Sequence, residues 1–198
     1  MSTAKIDTRN GTPALEINGE TFSLMAMTTR IKDEEYLRGL RKAGVRIFFV
    51  FANTDWLRPG KSLEESQDWR EWGGFASFQS EAERLLRVVP DAYIIVRIGM
   101  HPPVSWMESH PDDLLRYSDG KTMPCVINSE VHYDRVPGCY SLCSEAWRKD
   151  GGEALMHFCD QVEHSPIADR VIGYFLGAGG TSEWYYVNQI THTAPKPQ

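Results

Sequence analysis

The chain has 198 residues, 41% hydrophobic and 24% charged, the balance of one soluble globular domain. Its net charge of -6 gives no basis for a nucleic-acid or anionic-membrane partner. No apolar stretch follows a basic leader and no apolar run reaches about 18 residues, so neither a signal peptide nor a membrane span is expected. Four Cys without a secretory signal are expected as reduced thiols in a cytoplasmic protein.

Residues 1–13 are polar and aperiodic and read as a flexible leader. Ala14–Ile17, Asn18-Gly19 and Glu20–Phe22 read as a hairpin with a two-residue turn. A short strand comes next at Leu24–Met27. Asp33 is placed to cap a helix carrying Tyr36, Leu37 and Leu40, and Gly44 to end it. Val45–Phe51 is β-branched and aromatic, a second strand, after which a polar loop runs from Ala52 to Ser77. Ser77 is a candidate cap for a helix with Phe78, Ala82, Leu85, Leu86 and Val89 at helical spacing. Tyr93–Ile98 reads as a third strand, leading to a second long loop from Gly99 to Cys143 with an Asp119-Gly120 turn. Ser144 opens a helix through Trp147, Ala154, Phe158, Cys159 and Val162, weakened at Gly151-Gly152. The last strand starts at Val171 and runs into a Gly-rich turn, Gly177-Ala178-Gly179-Gly180.

Strand and helix alternate, which is a parallel α/β pattern. Both longest loops come after strands, on the face where strand C-termini emerge and where such folds carry their chemistry. Residues 14–190 are expected to form a single domain, with a polar tail at 191–198.

No dinucleotide fingerprint, Walker-type loop or Gly-x-Ser-x-Gly elbow occurs, so nucleotide binding and serine hydrolysis have no support. An anion in the Gly-rich turn would meet Glu183. Cys125, Cys139, Cys143 and His132 are expected as thiols and a loop imidazole rather than a zinc site, since Cys139-x-x-x-Cys143 is not diagnostic. No metal or cofactor is expected. Carboxylates beyond strand ends remain: Glu183 after the fourth strand and Asp55 after the second. A glycosidase needs two such groups across a sugar, one to donate a proton and one to attack or activate water. Asn53, Trp56, Arg97, His101, Trp106, Trp184 and Tyr185 also fall at or just beyond strand ends, as candidate substrate contacts. Arg97 lies inside a strand and needs a partner, either substrate or a buried acid.

The run Tyr93–Met100, His101-Pro102-Pro103-Val104-Ser105-Trp106, His110-Pro111-Asp112 and Ser118-Asp119-Gly120-Lys121 resembles glycoside hydrolase family 42, a family of β-galactosidases. Ser144–Arg148 and Val171–Tyr174 match its continuation, and Asn18–Phe22 resembles the segment that opens the barrel in the wider clan A. The resemblance implies a TIM-barrel-like fold, here a half barrel of about four βα units with an N-terminal hairpin, and makes Glu183 the counterpart of the acid/base after strand 4. Two features depart from it. Ser182 precedes Glu183 where the family has Asn, and the clan's nucleophile, after strand 7, has no counterpart in these residues.

Four βα units leave two open sheet edges, so a homodimer or higher homo-oligomer that rebuilds the barrel is expected. Two functional readings arise. One is a hydrolase of β-galactosides or related glycosides with Glu183 as acid/base, its second carboxylate being Asp55, another loop acid or Glu183 of a partner copy. The other is a non-catalytic carbohydrate-binding relic.

Overall fold

A computed structural model describes residues 2–9, 11–28, 33–56, 74–122, 138–177 and Trp184. It is mixed α/β, with a three-stranded antiparallel sheet and a four-stranded parallel one. The elements are β1 (Ala4–Arg9), β2 (Thr12–Ile17), β3 (Glu20–Phe22), β4 (Ala26–Thr28), α1 (Glu34–Lys42), β5 (Ile47–Asn53), α2 (Gly74–Val88), β6 (Tyr93–Gly99), α3 (Val104–Ser109), α4 (Glu145–Glu163) and β7 (Val171–Gly177). The chain divides into two compact units, interleaved in sequence.

The first unit, Met1–Asn53, Gly73–Ile98 and Cys159–Phe175, holds nearly all of the strands. The expected hairpin is β2–β3. Asn18 and Gly19 both have positive φ, 50° and 86°, the turn whose twist matches antiparallel strands. The leader expectation is overturned for Ala4–Arg9, which pairs antiparallel with β2, Lys5 opposite Glu16 and Ile6 opposite Leu15. Leu15 and Ile17 of β2 bury against Ile47, with Tyr93 and Ile95 packed alongside.

The parallel sheet runs β4-β5-β6-β7, each new strand adding beside its predecessor in chain order. Along β5 and β6 burial alternates: Phe48, Val50, Ile94 and Val96 are fully buried, while Phe49, Phe51, Ile95 and Arg97 are half-covered. One sheet face is therefore closed and the other partly open. Helix α2 packs on β5, burying Phe78, Ala82 and Leu85. It begins at Gly74, not after Ser77, because Phe75 and Phe78 pair their rings in a first turn that the glycines conceal in sequence. Helix α1 has the expected cap, with the Asp33 carboxylate accepting from Glu35 N at 2.8 Å and Tyr36 N at 3.3 Å. Gly44, at φ +92°, ends it. A cavity of about 430 Å³ lies in this unit between the β1–β2 hairpin and the residues Ile47, Phe49 and Ile95. A Cβ on Gly173 would meet nothing within 4 Å.

The second unit, Thr54–Trp72, Gly99–Phe158 and Leu176–Gln198, gathers the segments that leave the strand ends. Thr54 N donates to Gly99 O at 3.3 Å and Met100 N to Gly177 O at 3.0 Å, so β5, β6 and β7 end side by side and release their loops together. Residues 111–116 return along 138–141 through Leu115 N to Cys139 O at 2.7 Å and Ser141 N to Asp113 O at 2.9 Å. The expected Asp119-Gly120 turn is present, Gly120 at φ +83°. Helix α4 starts in this unit and finishes in the first. It is continuous through Gly151-Gly152, where weakening was expected.

Candidate functional site

The second unit is built on aromatic rings set on short polar loops. Pro102-Pro103 brings the chain out of β6 and into α3, which carries Trp106. Trp106 is 0% exposed: its ring lies 5.7 Å from Trp56 and stacks on His110 at 4.2 Å. Its Nε1 donates to the buried Asp150 carboxylate at 2.9 Å. Asp150 sits on α4, one residue before Gly151, and a Cβ on Gly151 would approach Trp56 Cη2 to 3.2 Å. The glycine is therefore what lets α4 come this close to the Trp56 ring.

A second row starts at His101. Tyr140, 1% exposed, sets its hydroxyl 2.9 Å from His101 Nδ1. Its ring stacks on Trp147 of α4 at 5.5 Å and 22°, and Trp147 meets Trp184 edge-on at 6.4 Å and 81°. Trp184 Nε1 donates to Leu176 O at 2.9 Å. Trp184 stays 49% exposed and has φ 58°, a left-handed backbone that is a genuine outlier for a bulky residue. Burial holds the His101 imidazole near pKa 4, below its ordinary 6.5, because a charged ring would lose its water there.

The helix that carries Trp147 and Asp150 is fixed at its start. Ser144 Oγ accepts from Trp147 N at 2.9 Å and donates to Asp113 Oδ1 at 2.6 Å, so one hydroxyl caps α4 and ties it to the 111–113 turn.

The candidate residues from the sequence separate accordingly. Trp56 and Trp106 touch each other but are buried, and their faces are spent on packing. Asp55 is 1% exposed. His101 and Trp184 belong to one row through Tyr140 and Trp147. Asn53 and Arg97 lie in the first unit. Arg97 places its guanidinium over the rings of Phe51 and Phe175, 5.2 and 5.8 Å from their centroids, so aromatic faces attend this charge. Glu183 and Tyr185 lie outside the described residues, as do Cys125 and His132. Cys139 and Cys143 are free thiols. Among the described residues no group of three or more His, Cys, Asp or Glu side chains is placed to hold a metal ion.

Three residues were not named as site candidates from sequence: Tyr140, Asp150 and Gly151. Tyr140 lies in an aperiodic loop and carries no local signal. Asp150-Gly151 did carry one, an acid beside two glycines on the apolar side of a helix, which is out of place unless something large and polar packs there.

Chemically, the row from His101 ends in one half-exposed indole. An indole face receives the apolar C–H face of a sugar ring or another flat ligand. Comparison with the known protein families and with curated proteins finds no match for this chain.

Proposed function

We propose that this chain acts on carbohydrate, binding a β-galactoside or related glycoside over Trp184 and donating a proton to the glycosidic oxygen from Glu183, the residue that precedes Trp184. The observation that carries this reading is Trp184 itself, half exposed, anchored to the end of β7 and braced by Trp147. The scaffold reading that goes with it is half of a TIM-type barrel. The strand order supports it, because β4-β5-β6-β7 keeps to chain order without the reversal of a doubly wound sheet. A second copy of the chain then supplies the missing strands and the second carboxylate.

One observation favours the non-catalytic alternative. Asp55 and Asp150 are buried, and Asp150 is occupied by Trp106 Nε1. Neither is placed as an open nucleophile or water-activating base. On that reading Trp184 binds sugar and no bond is cleaved.

Turnover of a p-nitrophenyl glycoside series by Glu183→Gln separates the two. A glycosidase loses its activity in this variant with folding intact; equal rates in variant and parent remove Glu183 from the chemistry. Sugar binding lost in Trp184→Ala, without turnover in either protein, selects the binding module.

A further inference from the structure

We propose that His101 is a positioning residue for Trp184: through the Tyr140 hydroxyl and the stacked Tyr140–Trp147 pair it fixes where the exposed indole stands. The contacts form one unbroken row, His101 to Tyr140 at 2.9 Å, Tyr140 on Trp147 at 5.5 Å, and Trp147 against Trp184 at 6.4 Å. His101 opens the loop after β6, where sequence alone places it as a ligand contact, yet its Nδ1 is turned to a buried phenol. The phenol is both donor and acceptor, so Nδ1 holds Tyr140 in either tautomer, accepting from the hydroxyl when bare and donating to its oxygen when protonated.

Two features make the far end of the row responsive. Tyr140 has its backbone fixed by the bridge to Leu114, which leaves ring direction to the side-chain contacts. Trp184 holds a left-handed backbone, disfavoured for a residue with a Cβ. Such a conformation persists where surrounding contacts over-determine it. The Leu176 hydrogen bond and the Trp147 edge are contacts of that kind. If the Trp147 edge shifts, the indole moves with it.

The part of this inference that concerns a ligand rests on the carbohydrate reading; the part that concerns Trp184 geometry does not. The experiment uses the full chain with Tyr140→Phe, which keeps the stacked ring and deletes only the hydroxyl, with His101→Leu, and with His101→Gln, which restores an acceptor. Each is also made with Trp184→Phe, so that subtraction isolates the Trp184 emission. Acrylamide quenching is the geometric probe and p-nitrophenyl β-galactoside the ligand probe. Expected are red-shifted, more readily quenched Trp184 emission in Tyr140→Phe and His101→Leu, and return toward the parent signal in His101→Gln. Galactoside affinity falls about tenfold in the first two, about 1.4 kcal/mol. An unchanged Trp184 difference signal in a folded Tyr140→Phe protein overturns the proposal, even where stability drops. Emission shifts without galactoside binding by the parent chain uphold the positioning row and sink the sugar reading.

Discussion

An ideal Cβ on Gly151 would stand 3.2 Å from Trp56 Cη2 and 3.7 Å from Met100 Cε, whereas one on Gly152 would meet nothing within 4 Å. The two neighbours in α4 therefore respond oppositely. Gly152→Ala is expected to stabilise by about 1 kcal/mol, the helix preference of Ala over Gly. Gly151→Val is expected to destabilise by roughly 1–3 kcal/mol, because a branched side chain would press on the buried Trp56 ring. Thermal melts of the two proteins decide it. At His101 the consequence concerns pH. Its pKa is about 4 folded against an ordinary 6.5, so between those values the unfolded chain binds more protons and stability rises with pH. On acidification this contribution, up to about 3 kcal/mol, drains away across that window. His101→Gln should flatten that part of a urea-midpoint profile recorded between about pH 4.5 and 7; an equally steep profile would assign the slope to other groups. Residue roles were the least legible part of the sequence. Trp56 and Trp106 were correctly placed beyond strand ends, but nothing local distinguishes a ring that faces ligand from one that faces Gly151.

Elements were easier, where their cause is local. Alternating burial along β5 and β6 reflects their β-branched and aromatic runs, and the Asp33 cap with Gly44 bounds α1 as the pattern requires. β1 escaped detection for the opposite reason. Residues 4–8 are all exposed, Ile6 at 65%, and Lys5, Asp7 and Thr8 are polar, so no apolar face announces a strand. Pairing with β2, a non-local cause, makes it one. Helix α4 offers an element-scale test. Ser144→Ala removes the cap and also the bond to Asp113, and should lower stability by about 1–2 kcal/mol. Ser144→Thr, which keeps a hydroxyl, should recover most of that loss in the same denaturant titration.

For the molecule as a whole, the α/β class and the parallel order of strands were legible because a short helix-to-strand return leaves few alternatives. What completes the open side of the sheet was not. Phe175, 46% exposed on β7, the edge strand among the described residues, lies on the surface that a second copy would cover under the half-barrel reading. Light scattering is expected to give twice the chain mass, and Phe175→Lys to shift it toward the single chain with unchanged circular dichroism. A parent protein that scatters as one chain would end the dimer reading.

The interleaving of the two units bears on synthesis. Taken in order, the segments assign the chain to the first unit, then the second, and alternately to the end, five crossings in all. The first unit waits for Cys159–Phe175, 122 residues after Asn53 (175 less 53), roughly 6–24 s of translation at about 5–20 residues per second. Ser2 Oγ meets its acceptor, Asp169 O, only at the end of that interval. The β2–β3 hairpin closes on contacts a few residues apart and needs no such delay. Until β7 emerges, β6 presents an edge of unpaired backbone N–H and C=O groups, and the nascent chain is at its most prone to wrong pairing. Slowing translation before residue 171 should raise the yield of aggregate, whereas slowing it after residue 177 should not.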